Sequence, residues 1–263
     1  MKKNFLALIV LAGMAQVAVA QEKRQQNPES SEIWEPVPRV VTPGVLSPNT
    51  ASGTTAPSDA IVLFDGKDGS QWVSVKNYNP ANWNGVTEGS NTWPIRDGAM
   101  YSAKGASLRT KQEFQDFQLH IEFRAPEKVE GSGQGRGNSG IFLQGRYELQ
   151  VLDGYNNPTY SNGMVGSIYK QAIPLVNPSR KPGEWQTYDI IYYAPKFNKD
   201  GMMSEMGKVT VLLNGVLILY DFHIKGTTEY IGYPKVQPHG KGPLLLQDHG
   251  NPVGFRNIWI REL

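Results

Sequence analysis

The run Val209-Thr210-Val211-Leu212-Leu213, then Asn214-Gly215, then Val216-Leu217-Ile218-Leu219-Tyr220, constrains this chain more than any other feature. Asn-Gly supplies the two positive φ angles of a two-residue turn whose twist matches that of paired strands, so the flanking runs predict a β-hairpin. A second segment, Phe117-Gln118-Leu119-His120-Ile121-Glu122-Phe123, alternates apolar and polar residues strictly. That is the period of a strand with one face buried. Further strands fit residues 139–143, 147–152, 185–193, 244–247 and 255–260. No long segment carries a helical apolar stripe, and strands do not alternate with helices. These features predict an all-β fold, two packed antiparallel sheets in a sandwich, and argue against a parallel α/β sheet. No fixed-period repeat points to a propeller.

The strands begin near Ile61, which divides the chain into three parts. Residues 1–20 carry Lys2 and Lys3, then an apolar run from Phe5 to Leu11, then Ala18-Val19-Ala20. This order of basic, apolar and small residues predicts a secretory signal cleaved after Ala20, and hence a periplasmic or extracellular protein. The apolar run is too short for a membrane span, and no later stretch is long enough for one. Residues 21–58 are rich in Pro, Ser and Thr without apolar period, which predicts a linker or extended arm. Within it, Ile33-Trp34-Glu35-Pro36 could dock on the domain or remain solvated. Residues 59–263 are expected to be the globular domain.

Charge and composition exclude several classes of function. The chain has 26 basic and 24 acidic side chains, and removal of Lys2 and Lys3 leaves 24 of each. Nucleic acid and anionic membranes call for clustered cationic charge, which this balance disfavours. There is no cysteine, hence no disulfide, thiol nucleophile or thiolate metal site. Phosphate-cradling loops, His-Glu-x-x-His and Gly-x-Ser-x-Gly are all missing from the sequence. His120, His223 and His239 have no partner at ligand spacing, so no zinc site is predicted.

Candidate chemistry lies in three places. Along Tyr147-Glu148-Leu149-Gln150-Val151-Leu152-Asp153, Glu148 and Gln150 share one face of the strand and point away from Tyr147, Leu149 and Val151. Glu148 and Asp153 are candidate acid and base, but Asp153 falls on the opposite face unless a bulge intervenes. The competing structural assignment pairs Glu148 with Arg146 and uses Asp153 to cap the turn at Gly154. Asn138, at the entry to the preceding strand, is a candidate neutral partner. A second group comprises His249, in Gln247-Asp248-His249-Gly250, and Arg256, which could grip a substrate or close a salt bridge. Lys170, after Tyr169, is either a cation facing a developing oxyanion or a surface charge.

These motifs occur in a recognisable order. Ile61-Val62-Leu63-Phe64-Asp65-Gly66-Lys67-Asp68-Gly69 with Trp72, Asn138-Ser139-Gly140-Ile141-Phe142, the 147–153 strand, Asn214-Gly215, Leu246-Gln247-Asp248-His249-Gly250 and Phe255-Arg256-Asn257-Ile258 together resemble the 3-keto-disaccharide hydrolase family. The resemblance spans about residues 58–263. It implies a jelly-roll sandwich similar to concanavalin-A-like lectins and glucanases, and cleavage of glycosides already oxidised at C3. The C3 ketone acidifies the C2 proton, so proton abstraction, loss of the C1 oxygen and hydration follow. The resemblance also implies a possible divalent metal as Lewis acid, although no spacing in the chain defines a metal site. Glu148, Gln150 and Asp153 are also similar in position to the Glu-x-Asp-x-x-Glu pattern of retaining β-glucanases. Gln150 and the shorter Asp153 depart from that pattern, which argues against transferring the retaining mechanism. The expected partner is an oligosaccharide or glycoside. A non-catalytic lectin on the same fold, or an outer-membrane interaction protein docked through the arm, are the alternatives.

Overall fold

A computed structural model of the chain describes residues 27–40, 56–80 and 87–263. The expected signal segment and much of the arm lie outside these residues. Among them, two antiparallel sheets face each other. The six-stranded sheet runs in the order Tyr147–Val151, Ser139–Leu143, Gly242–Leu246, Ser107–Phe114, Trp72–Lys76, Thr87–Ser90. The eight-stranded sheet runs Val216–His223, Lys208–Leu213, Gln186–Tyr193, Phe117–Arg124, Gly254–Glu262, Ala99–Tyr101, Ile95–Arg96, with Ile61–Phe64 also paired to Gly254–Glu262. The fold is the expected antiparallel β-sandwich of jelly-roll type. Helical structure among the described residues is limited to short 3-10 turns at Pro28–Ser31, Gly133–Gly135 and Ser161–Gly163.

The hairpin closes as its dipeptide requires. Leu213 pairs with Val216, and Asn214 and Gly215 have φ of 54° and 77°. Asn214 also accepts a hydrogen bond from the Thr187 N–H at 3.0 Å and donates to Pro178 O at 2.9 Å, so the turn ties to the neighbouring strand. Along Phe117–Arg124, the apolar set Phe117, Leu119, Ile121 and Phe123 is buried against the other sheet. Each such side chain contributes roughly 1.5–3 kcal/mol on burial.

Aromatic rings with polar edges fill the layer between the sheets. Tyr188 stacks on Phe123 at 4.9 Å and donates its hydroxyl to Gln150 O at 2.8 Å. Tyr192 packs on Phe117 and donates to Gln144 Oε1 at 2.8 Å, while Trp72 Nε1 donates to Leu63 O at 2.9 Å. A buried hydroxyl or indole N–H left without a partner would be costly, so these bonds fix where each ring sits.

The strand Tyr147–Val151 lies at the edge of its sheet, and irregular loops cover that edge. Tyr169 N–H donates to Glu148 O, Gln150 N–H to Ser167 O, and Gly166 N–H to Gln150 O. The Glu148 N–H donates to Thr228 Oγ1 at 2.9 Å. Edge backbone groups left open would invite pairing with another chain, so this cover is also protection. Its consequence for function is that residues 160–171 and 226–231 are held beside the strand's polar face.

Part of the N-terminal arm is docked on the domain. Arg39–Val40 pairs in parallel with Val176–Asn177, and residues 31–34 bond to Ser161 and Asn162. Of the two outcomes open for Trp34, the structure has the segment bound, with Trp34 edge-on to Tyr160 at 6.2 Å.

Candidate active site

The strand Tyr147–Val151 is regular, and this regularity decides what its side chains can reach. Its residues pair one for one with 139–143: Glu148 opposite Phe142 and Gln150 opposite Gly140. Tyr147, Leu149 and Val151 join the core. Glu148 and Gln150 face the other way, into a cavity of about 710 Å³ that they line with Asn138, Phe142, Gln247 and His249. That volume falls in the range of roughly 300–1,000 Å³ usual for small-molecule sites. Gly140 makes room for the carboxyl, since a Cβ there would meet Glu148 Oε1 at 2.6 Å.

Glu148 is 5 % exposed, and no donor among the described residues reaches its carboxyl. Burial raises its pKa to about 8, because a carboxylate there gives up hydration without compensation. Beside it, the amide of Gln150 is oriented by its nitrogen, which donates to Asn138 Oδ1 at 3.1 Å and Gln134 Oε1 at 3.4 Å. Asn138 Nδ2 in turn donates to Gln134 O at 2.7 Å, and the Asn138 N–H to Asn251 Oδ1 at 2.8 Å. Gln150 Oε1 and Gln247 Oε1 are buried and have no donor among the described residues. Two orphaned acceptors lining one cavity call for a ligand that brings hydroxyl donors.

Tyrosines line the same cavity. Tyr160 and Tyr169 share a hydroxyl–hydroxyl bond of 2.6 Å, and burial lifts both phenols, Tyr160 to about 12. Both therefore stay neutral donors at physiological pH. Tyr78, Tyr230, Thr228 and Glu229 complete much of the lining, with Glu32 from the arm. Sequence reasoning missed these residues. They sit on loops without period, and only their content of Tyr and Thr hinted at a polar, ring-lined surface.

The structure gathers Glu148, Gln150, Asn138 and His249 around this cavity and sends three other candidates elsewhere. Asp153 does not join Glu148. No bulge interrupts the strand before Val151, so Asp153 keeps the opposite facing. Its carboxylate receives Arg136 Nε at 2.6 Å and the Tyr155 N–H at 3.1 Å, and it lines a separate cavity of about 210 Å³. In this structure Asp153 caps the turn at Gly154 and pairs with Arg136. Arg256 lies on the eight-stranded sheet, bound to Glu122 at 2.6 Å and stacked 4.1 Å over Trp185. Lys170 stands behind the cavity wall, donating to Pro28 O at 2.8 Å and Tyr230 O at 2.9 Å. Burial lowers its pKa, opposed by Glu32 and Glu29. The alternative pairing of Glu148 with Arg146 does not form.

Among the described residues, no group of three or more His, Cys, Asp or Glu side chains converges. The inward oxygens beside Glu148 are neutral amide acceptors, suited to hydroxyls. Amide oxygens can join a carboxylate in a calcium-type oxygen set, but one carboxylate with two amides is not a preformed cage, and the chemistry is carried by the chain's own residues.

A sandwich with one buried carboxyl, tyrosine walls and unpaired amide oxygens in a cleft defines a glycosyl-hydrolase-like, carbohydrate-active enzyme. Residues 59–261 match the family model of the 3-keto-alpha-glucoside-1,2-lyase-like domain, and the chain belongs to that family. It is 26% identical to a 3-keto-disaccharide hydrolase of Bacteroides thetaiotaomicron, over 97% of this chain and 94% of the relative. A crystal structure from Parabacteroides distasonis, provisionally assigned as a glycosyl hydrolase, is 55% identical, with a TM-score of 0.75 over 89% of this chain and 96% of that one. A second protein of that organism and designation, 21% identical over 78% of this chain and 94% of that one, shares the fold at a TM-score of 0.56.

Proposed function

We propose that the protein cleaves 3-keto-glycosides by elimination across C1 and C2, followed by hydration, with Glu148 as the base. The observation that carries this is the buried carboxyl of Glu148, which no donor among the described residues reaches, in a cavity where Gln150 on the same strand and Asn138 beside it are neutral amides. The base must take a proton from carbon, and a carboxylate whose pKa is raised to about 8 is a stronger base than an ordinary one. The keto group supplies the rest, since the C2–H electrons delocalise onto the C3 oxygen.

Ionised Glu148 takes the C2 proton, giving the C2–C3 enolate. The Tyr160–Tyr169 hydroxyl pair donates to the enolate oxygen, as neutral phenols can without an added counter-charge. The enolate collapses to restore the ketone, C1=C2 forms, the C1–O bond breaks, and His249 at the exposed rim gives the leaving oxygen its proton. Water then adds hydroxyl to C1 and hydrogen to C2, and the sum is hydrolysis. Gln150 Oε1 and Gln247 Oε1 accept from ring hydroxyls. Export before action is part of the proposal, supported by the basic, apolar and small-residue order of residues 1–20.

The test is turnover of 3-keto-glycosides beside their unoxidised parents. The expected result is cleavage of the keto sugars alone, by wild type. Binding without cleavage of either would replace the proposal with a lectin function.

A further inference from the structure

The domain common to the family begins at residue 59, yet this chain carries a docked segment upstream of it. That segment is held at many points. The Ser161 N–H donates to Ile33 O at 2.7 Å and Ser161 Oγ to Trp34 O at 2.8 Å. Asn162 accepts from the Ile33 N–H at 3.1 Å and donates to Ser31 O at 3.0 Å. Glu32 thus sits between two residues whose backbones are pinned, and its side chain lines the cavity that contains Glu148.

Lys170 fastens the same segment to the opposite loop. Its ammonium donates to Pro28 O on the arm and Tyr230 O on the 226–231 loop, and lies 5.1–5.7 Å from the ring centres of Tyr160, Tyr169 and Tyr230. Its backbone is held at φ of 57°, in the left-handed region a lysine seldom adopts. A side chain with three donors, kept in a strained conformation to bridge two loops beside a cleft, is a clip.

Depth gives the clip a role. Glu148 is buried on the floor, while Glu32 is half-buried and Tyr230 is 63% exposed. A sugar ring reacting at Glu148 therefore has its substituent at C1 directed toward solvent, past the arm.

We propose that the arm is a substrate-binding wall, clipped by Lys170, in which Glu32 accepts hydroxyl bonds from the leaving sugar and so selects disaccharides over simple alkyl glycosides. This rests on the cleavage proposed above for its orientation of the substrate. A carboxylate gripping vicinal hydroxyls makes charge-assisted bonds, stronger than the neutral contacts elsewhere in the cleft.

The experiment compares the 3-keto forms of maltose and of methyl α-glucoside with wild type, Glu32→Gln and Lys170→Met. Affinity is read as KM if the sugars are cleaved and as Kd by titration if they are not, so failure of the cleavage proposal shows separately as absent turnover. Glu32→Gln is expected to reduce the preference for the disaccharide about tenfold. Lys170→Met should reduce it in the same direction, with rescue by Lys170→Arg, because Lys170 is a positioning residue that acts through the arm. An unchanged preference in Glu32→Gln would overturn the proposal. So would failure of wild type to bind either sugar.

Discussion

Each sheet carries a stripe of buried polar residues, and the two stripes have opposite fates. On the eight-stranded sheet, His120 Nδ1 donates to Asp189 Oδ1 at 2.6 Å, Glu122 accepts from Arg256 Nε at 2.6 Å and from Asn257 Nδ2 at 2.9 Å, and Trp259 stacks on the imidazole at 5.3 Å. On the six-stranded sheet, no donor among the described residues reaches the Glu148 carboxyl or the amide oxygens of Gln150 and Gln247. The same strand periodicity produced both stripes. Charges that are matched in the folded chain hold the fold, whereas groups left unmatched beside a cavity await a ligand.

The comparison can be broken at Glu148 first. Glu148→Gln keeps the size and hydrogen-bonding edge but removes the base, and turnover of 3-keto-glycosides is expected to fall about 100-fold or more with binding retained. Steady-state kinetics with a titration of the variant checks both halves.

On the other stripe the expected loss is of stability. Glu122→Gln leaves Arg256 without its counter-charge and His120 with Asp189 alone, which should cost about 2 kcal/mol in denaturant unfolding and leave the folded enzyme's kcat/KM within about twofold. A rate loss comparable to that of Glu148→Gln would erase the distinction between the stripes.

Titration separates them by sign. For His120, burial lowers the pKa but the bonds from Asp189 and Glu122 outweigh it and lift the group to about 9. Its contribution to stability is therefore full below the unfolded pKa near 6.5 and is lost as pH rises through about 9. For Glu148 the raised pKa reflects the cost of the ionised form. Stability is unaffected below pH 4.5 and falls as pH rises through about 8. His120→Gln should thus lower Tm most at pH 6, while Glu148→Gln should raise Tm relative to wild type above pH 8 and leave it unchanged near pH 4. The rate of the wild type should climb toward a plateau above about pH 8 as Glu148 ionises, a limb absent from Glu148→Gln.

The smallest effect expected is at Asp153. Asp153→Asn weakens the tie to Arg136 and should cost about 1 kcal/mol of stability, with no 100-fold loss of rate.

What was legible in the sequence follows from periodicity. Asn214-Gly215 and the alternation of 117–123 fixed strands, and the parity of residues 147–151 put Glu148 and Gln150 on one polar face and excluded Asp153 unless a bulge intervened. The strand Ser107–Phe114 went unread because Arg109, Thr110, Lys111, Gln112 and Glu113 mask its pattern, although it is central in its sheet. The cavity walls were equally hidden. Tyr160, Tyr169 and Tyr230 sit on loops whose course is set by bonds to a strand edge and to the arm, contacts that no local spacing encodes. Arg256 was legible as a forked cation, but whether it met a sugar or Glu122 depended on the strand pairing Glu122 opposite it.

The most direct test of the central claim is the fate of the proton at C2. Wild-type enzyme turning over a 3-keto-glycoside in D2O, quenched early and read by NMR, is expected to give product carrying one solvent deuteron at C2, formed far faster than in Glu148→Gln. Product that retains its original C2 hydrogen, with a rate unchanged by deuterium substitution at C2, would show direct displacement at C1 and contradict elimination by Glu148.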